Sequence, residues 1–196
     1  MPRRQSPAEV ILATLKMLCR GATAASRTAA FPRRDEPLDE GGRRLASVRV
    51  LGGPAPQLTF VAPEPAARET ALLMHIEAEI EPLLADIDHG EWAGRSLTEL
   101  EAADAAGLAC WLAQPACGVP GGEPLGAVAE RVGRWLDRMA ALDTAVLAVT
   151  HPMVIRAAIA RALECQVEAA LNIDIAPLSE TLLSFNRRWR LQSLTP

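Results

Sequence analysis

Residues 145–156, AVLAVTHPMVIR, combine a short apolar run with a histidine and a proline. The first five residues are a short apolar run of the kind that forms a buried strand. Pro152 then suits the first turn of a helix, because the N–H that proline lacks would have no partner there. The helix is predicted to run to about Leu163. The stretch therefore predicts a strand that passes directly into a helix, with His151 at the junction.

Strands and helices alternate along the rest of the chain. Further strands are predicted at 10–18, 58–61, 181–185 and 189–194, and further helices at 65–76, from about residue 39 and from residue 125. Residues 21–37 are predicted to be a polar loop, and residues 115–124, PACGVPGGEP, a loop because of their glycines and prolines. Such alternation predicts an α/β fold with a mostly parallel sheet flanked by helices.

Composition excludes several classes of protein. A chain of 196 residues is expected to form one domain. Its 49% hydrophobic content is too high for a disordered chain. A net charge of −4 lacks the electrostatic footprint of a nucleic-acid binder. We also expect no membrane span, because no apolar run reaches about 18 residues.

The cysteines and the first residues of the chain indicate the cellular compartment in which the protein is expected. The four cysteines form no CxxC pair, so we expect free thiols in a cytoplasmic protein. Glu9 and Lys16 interrupt the apolar stretch near the start, which argues against a signal peptide. No cluster of carboxylates and histidines has metal-ligand spacing, so neither a metal nor another cofactor is expected.

Five segments carry a family resemblance. They are residues 35–46 (DEPLDEGGRRLA), 62–71 (APEPAARETA), 86–94 (DIDHGEWAG), 120–132 (PGGEPLGAVAERV) and 149–156 (VTHPMVIR). In this order they resemble the motifs of the histidine phosphatase superfamily, the phosphoglycerate mutase-like proteins. The resemblance implies a single domain over residues 1–196, built as a three-layer α/β fold. It places the site at the carboxyl ends of the strands, where open α/β sheets bind ligands in general.

The resemblance also implies a chemistry, phosphoryl transfer to a histidine in an R-H-G motif. The corresponding segment reads Cys19-Arg20-Gly21, so the nucleophilic histidine is absent. Without a gap, Arg20 takes the place of the histidine and Cys19 that of the arginine. With a one-residue deletion, Arg20 keeps the place of the arginine. Arginine cannot replace it, because its guanidinium stays protonated and has no lone pair for attack on phosphorus. The second phosphate-binding arginine of the family falls on Ala66. His151 keeps the identity of the second histidine, and Asp86 stands where the proton donor would be.

His151 and Asp86 are therefore the candidate catalytic residues. His151 either donates to an anion or acts as an acid or base, or it is a structural remnant of the fold. Arg20 either holds a carboxylate or phosphate, or forms an internal ion pair with Asp86. Cys19 is either a nucleophile beside His151 or a small buried apolar residue. Strand alternation tends to place Cys19 and Arg20 on opposite faces, so one of the two is expected to reach the site.

Three further residues are candidate ligand contacts. Arg156, one helical turn after His151, either reaches the pocket rim or pairs at the surface. His89 is expected to line the mouth of the pocket. Ser26 falls where the family often has an asparagine after the R-H-G motif. In the helix that follows residue 124, the arginines 131, 134 and 138 are predicted to form a solvated face.

Three functions remain open at this point. The first is a degenerate family member that binds a small anionic ligand or a protein partner without phosphatase turnover. The second is a repurposed enzyme that uses His151 and Asp86 as acid and base, with or without Cys19 as a nucleophile, on a non-phosphate substrate. The third is a residual phosphomonoesterase with water as the nucleophile. The family resemblance also allows a homodimer, although no surface in the sequence identifies one.

Overall fold

The computed structural model describes residues 13–196. It contains six strands and six α-helices. The strands are β1 (Ala13–Cys19), β2 (Leu58–Val61), β3 (Glu79–Ile80), β4 (Ala145–Thr150), β5 (Glu180–Asn186) and β6 (Arg188–Thr195). The helices are α1 (Ala24–Thr28), α2 (Glu40–Val48), α3 (Pro65–Leu73), α4 (Leu97–Ala113), α5 (Leu125–Ala140) and α6 (Pro152–Leu163).

The strands form one mixed sheet in the order β3-β2-β4-β1-β5-β6. The four strands from β3 to β1 are parallel, and β5 and β6 complete the sheet in antiparallel pairing. Helices flank this sheet, and α5 and α6 contact each other extensively. The predicted α/β class with a mostly parallel sheet is therefore confirmed.

Buried apolar side chains stabilise this arrangement of strands and helices. Strands β1 and β4 contribute fully buried apolar side chains, among them Leu15, Met17 and Val149, to one large cluster. Helix α5 adds a buried apolar stripe that includes Trp135 and Leu136, which have no exposed surface. Burying such side chains stabilises the fold by about 1.5–3 kcal/mol each. This rigid core holds the carboxyl ends of the central strands in place.

Several boundaries differ from the sequence predictions. The first strand ends at Cys19, and residues 10–12 of its predicted range lie outside the described residues. The predicted loop 21–37 contains α1, because Thr23 caps this short helix and forms a capping box with Ser26. The helix predicted to reach residue 76 ends at Leu73, shortly before His75 adopts a left-handed backbone conformation (φ 54°).

Helix α4 and strand β3 were absent from the predicted elements. Helix α4 buries only Leu100 and Leu108 and bends at Asp104, so its sequence lacks a continuous apolar stripe. Strand β3 has two residues, both exposed, which is too short for a period to be recognised. Within residues 13–196, no helix is both long and apolar enough to cross a bilayer.

Candidate functional site

The site lies where three neighbouring parallel strands end. Cys19 at the end of β1 is in register with Thr150 at the end of β4, and Val61 of β2 is in register with Val149. The residues that follow these strands are therefore brought to one edge of the sheet. Arg20 follows β1, Glu64 lies between β2 and α3, and His151 lies between β4 and α6.

His151 is the centre of the site and has 2% of its surface exposed. Its Nε2 atom is 3.1 Å from Oε2 of Glu64, at hydrogen-bond distance. Its Nδ1 atom is 3.2 Å from Oδ2 of Asp86, an ion-pair distance without aligned hydrogen-bond geometry. Burial lowers the pKa of His151, but the two carboxylates outweigh it and raise the pKa above its usual value of 6.5. The two carboxylates therefore favour the protonated form of the ring that lies between them.

Asp86 is held rigidly by the segment that precedes it. Thr150 Oγ1 donates to the carbonyl of Leu84 at 2.7 Å. Arg131 donates to the carbonyl of Leu83 at 2.8 Å and to that of Asp86 at 3.2 Å. Burial raises the pKa of Asp86, but His151 outweighs it and holds this pKa well below the usual range. Asp86 is accordingly ionised at neutral pH and lacks the proton that a general acid must donate.

Arg131 was predicted to be solvated, and this prediction is wrong. Its Nε and Nη2 atoms contact both carboxylate oxygens of Glu123, at 2.8 and 2.9 Å. With its bonds to the 83–86 backbone, the guanidinium joins the start of α5 to the loop that carries Asp86. The helical pattern could not reveal this role, because the carbonyl groups that Arg131 contacts are 45 and 48 residues away in the chain.

Glu64 is the site residue that the sequence analysis missed. It is the N-terminal cap of α3, yet its side chain makes no capping hydrogen bond and points to His151 instead. It has 6% of its surface exposed. Burial raises its pKa, but His151 outweighs the burial and lowers the pKa below its usual value. The available signal was an acidic residue just after β2, followed by Pro65 as the first residue of a helix.

Arg20 is the only buried arginine in the described part of the chain, with 5% of its surface exposed. Its Nη1 atom donates to the carbonyl of Gly21 at 2.8 Å. Arg20 forms no ion pair within 4.0 Å with a carboxylate of residues 13–196, because Asp86 pairs with His151 instead. The charge of Arg20 still helps to lower the pKa of Asp86. Arg20, Glu64, Asp86 and His151 all line one cavity of about 10 Å³.

Arg34 covers the mouth of this cavity. Its Nη2 atom is 3.5 Å from Oε1 of Glu64, and its Nη1 atom is 3.8 Å from Oδ2 of Asp88. Its side chain is 55% exposed. Glu36 lies beside it and presents a buried Oε2 atom that has no hydrogen-bond partner, while its Oε1 accepts from the N–H of Ala25. The cavity is thus small and lined by charges of both signs.

A family model for the histidine phosphatase superfamily (branch 1) matches residues 17–195. The chain belongs to the histidine phosphatase superfamily. This match covers every strand and helix described above except the first four residues of β1. No curated protein sequence matches the chain significantly.

Several solved structures share the fold over nearly the whole chain. An alpha-ribazole phosphatase from Shigella flexneri is 22% identical, with a TM-score of 0.83, and the match covers 93% of this chain and 96% of that one. A mycobacterial glucosyl-3-phosphoglycerate phosphatase in complex with VO3 is 25% identical (TM-score 0.79; 91% and 96% covered). A protein from Thermus thermophilus is 26% identical (TM-score 0.74; 93% and 99% covered).

Cys19 lies outside the cavity of this histidine phosphatase domain. It is fully buried within the core, and that burial raises the pKa of its thiol to about 12. A thiol with such a pKa is protonated at neutral pH and is a poor nucleophile. Its neighbour Arg20 is the one of the two that reaches the cavity, as strand alternation predicted.

The other candidate contacts stand at the edge of the site or away from it. Arg156 is half-buried and donates to the carbonyl of Ile173 at 2.9 Å. His89 packs edge-on against Phe31, with ring centroids 5.1 Å apart, and lines a separate cavity of about 40 Å³. Ser26 is exposed and completes the capping box of α1. None of these three lines the cavity that contains His151.

The described residues contain no cluster of three or more side chains that could hold a metal ion. His151 separates Glu64 from Asp86, because each of its two ring nitrogens faces one of these carboxylates. The arrangement is a histidine between two carboxylates with an adjacent buried guanidinium. It can bind an anion or hold a proton, and both ring nitrogens already have carboxylate partners.

Proposed function

We propose that this chain is a degenerate histidine phosphatase that binds a small anionic ligand at Arg20 and His151 without phosphohistidine chemistry. The observation that carries the proposal is the Arg20 guanidinium, buried in the cavity without a carboxylate within 4.0 Å in the described residues. An unpaired buried charge is costly, so an anion that joins it would lower the free energy of the complex.

The same residues argue against turnover. The segment Cys19-Arg20-Gly21 at and just after the end of β1 contains no histidine, and the guanidinium of Arg20 cannot attack phosphorus. His151 cannot take over, because both its ring nitrogens face carboxylates. Ala66 stands where the family has a second phosphate-binding arginine, and the loss of one such donor costs about 3 kcal/mol, or roughly a hundredfold in rate.

The repurposed-enzyme alternative has weaker support. Its nucleophile would be Cys19, whose thiol is buried outside the cavity with a pKa raised to about 12. Its acid would be Asp86, whose pKa is held well below the usual range by His151. An acid–base mechanism needs a group with a pKa near the working pH. His151 is the remaining candidate for that role, but both of its ring nitrogens already face the carboxylates of Glu64 and Asp86.

The proposal is tested by turnover and binding together. Hydrolysis of a generic phosphate ester by wild type should stay at the background seen with His151→Asn. Vanadate is a suitable binding probe, because a mycobacterial neighbour of this fold was solved in complex with VO3. Arg20→Gln should weaken vanadate binding by about tenfold or more, which is about 1.4 kcal/mol.

Arg44→Gln is the matched control, because Arg44 is an exposed arginine of α2 and its loss changes the net charge equally. It should bind vanadate like wild type. Phosphate release that depends on His151 would overturn the non-catalytic assignment. Failure of wild type to bind vanadate or inorganic phosphate would overturn the anion-binding assignment.

A further inference from the structure

We propose that the Glu64 carboxylate occupies the position at His151 that an anionic ligand takes when it binds. The ligand binds by displacing this carboxylate from His151. The inference rests on the proposed anion-binding function and names the residue that decides which anions enter. Glu64 Oε2 is 3.1 Å from Nε2 of His151, so one face of the imidazolium is already occupied by an oxygen anion.

The cavity is too small to admit an anion beside the side chains that line it. The cavity shared by Arg20, Glu64, Asp86 and His151 has a volume of about 10 Å³. That volume accommodates about one water molecule. A tetrahedral oxyanion is several times larger, so it cannot contact both Arg20 and His151 unless a side chain that lines the cavity moves. Movement of a side chain that lines the cavity is therefore a condition for binding.

Charge favours the same conclusion. The cavity is also lined by the exposed Arg33 and Arg34 and by the partly buried Glu36, but only Glu64 occupies the position at Nε2 of His151. An anion placed at this nitrogen would lie against the Glu64 carboxylate in a poorly solvated place, where like charges repel strongly. Exchange of that carboxylate for a singly charged anion leaves the charge at this position unchanged, so the site should favour anions of low charge.

Of the two carboxylates, Glu64 is the one that can leave. Asp86 is fixed, because its Oδ1 accepts from the N–H of Ile87 at 2.9 Å and Arg131 holds its backbone carbonyl. The Glu64 side chain makes no hydrogen bond to its own helix. Its Oε1 atom already faces Arg34, which is 55% exposed and lies at the mouth. An outward rotation of Glu64 would carry it toward solvent with this ion pair retained.

The experiment compares vanadate and inorganic phosphate binding by calorimetry in wild type, Glu64→Gln and Glu64→Ala. Glu64→Ala removes both the charge and the volume, and should bind vanadate about tenfold or more tightly than wild type. Glu64→Gln removes the charge and keeps the volume, so its affinity should lie between the two. Glu69→Gln is the control, because it removes a glutamate of the same helix whose partner is Arg43, outside the cavity.

The outcomes separate the two proposals. If wild type and Glu64→Ala bind vanadate equally, and Arg20→Gln still weakens that binding, the exchange is overturned and the anion-binding function stands. If no variant binds either anion, the proposed function itself is overturned. An equal gain in Glu69→Gln would also overturn the exchange, because the effect would then be one of net charge alone.

A second measurement covers the case in which Glu64→Ala does not fold. The ¹⁵N resonances of the His151 ring are recorded in wild type and assigned with His151→Asn. Saturation with vanadate should shift the Nε2 resonance, because the oxygen that accepts its hydrogen bond changes. The Nδ1 resonance should move less, because Asp86 stays. An unchanged Nε2 resonance at saturation would overturn the exchange.

Discussion

Replacement of His151 by asparagine removes the cation between two buried carboxylates, and we expect it to lower the free energy of unfolding by about 3 kcal/mol. The imidazole side chain is 3% exposed, and the side chains of Glu64 and Asp86 are 6% and 11% exposed. Solvent therefore screens these contacts little. The substitution removes the positive charge that lies between the carboxylates of Glu64 and Asp86.

The magnitude follows from the partners that remain. Removal of one member of a buried pair typically costs about 3–5 kcal/mol. Asp86 still accepts from the N–H of Ile87 at 2.9 Å, and Glu64 still lies 3.5 Å from Arg34. These contacts keep part of the negative charge compensated, so the expected cost lies at the lower end of the range.

The assay is urea denaturation at pH 5.5, where His151 and its two carboxylate partners are charged. His75→Asn is the matched control, because His75 is exposed and has a left-handed backbone (φ 54°) that asparagine tolerates. The control should change the free energy of unfolding by less than about 0.5 kcal/mol. A His151 variant within about 1 kcal/mol of that control would refute the reasoning, because the buried ion pair would then contribute almost nothing.

The pKa of His151 is raised from 6.5, so its contribution to stability is complete below that pH and is lost as pH rises through the folded-state pKa. The difference in the free energy of unfolding between wild type and His151→Asn should shrink as pH rises through this pKa. A difference that stays constant with pH would contradict the prediction. Peptide mapping after thiol labelling at pH 8 should find Cys110 and Cys165 labelled and Cys19 unlabelled in the folded protein; fast labelling of Cys19 would contradict its burial. Arg131→Lys replaces a guanidinium that contacts a carboxylate and two carbonyl groups. It should cost about 1.5–3 kcal/mol in urea denaturation, and a cost below about 0.5 kcal/mol would contradict its anchoring role.

Local patterns in the sequence were sufficient for the elements that surround the site. The apolar run at 145–149 and Pro152 predicted β4 and α6 within one residue. Strand β2 occupies its predicted range of 58–61. These segments are determined by neighbours in the chain, through burial of a short strand and the restricted backbone of proline.

The cavity itself could be predicted only in part. The strand order brings His151, Asp86 and Arg20 together, as the family resemblance implied. Glu64 and Arg131 were missed in these roles, because each acts through a partner 45 or more residues away. Local periodicity describes whether a residue faces the core or solvent, and it does not identify the distant group that pairs with it. The roles of Arg156, His89 and Ser26 as ligand contacts stay predictions.

The most direct test of the central claim is ³¹P NMR of the protein mixed with a simple phosphate monoester, followed over many hours beside His151→Asn. The account predicts that the ester signal broadens in wild type as the anion exchanges with the site, while no inorganic phosphate forms above the level in the variant. Steady growth of the inorganic phosphate signal in wild type alone would contradict it, since the cavity would then support phosphoryl transfer without a histidine at the end of β1.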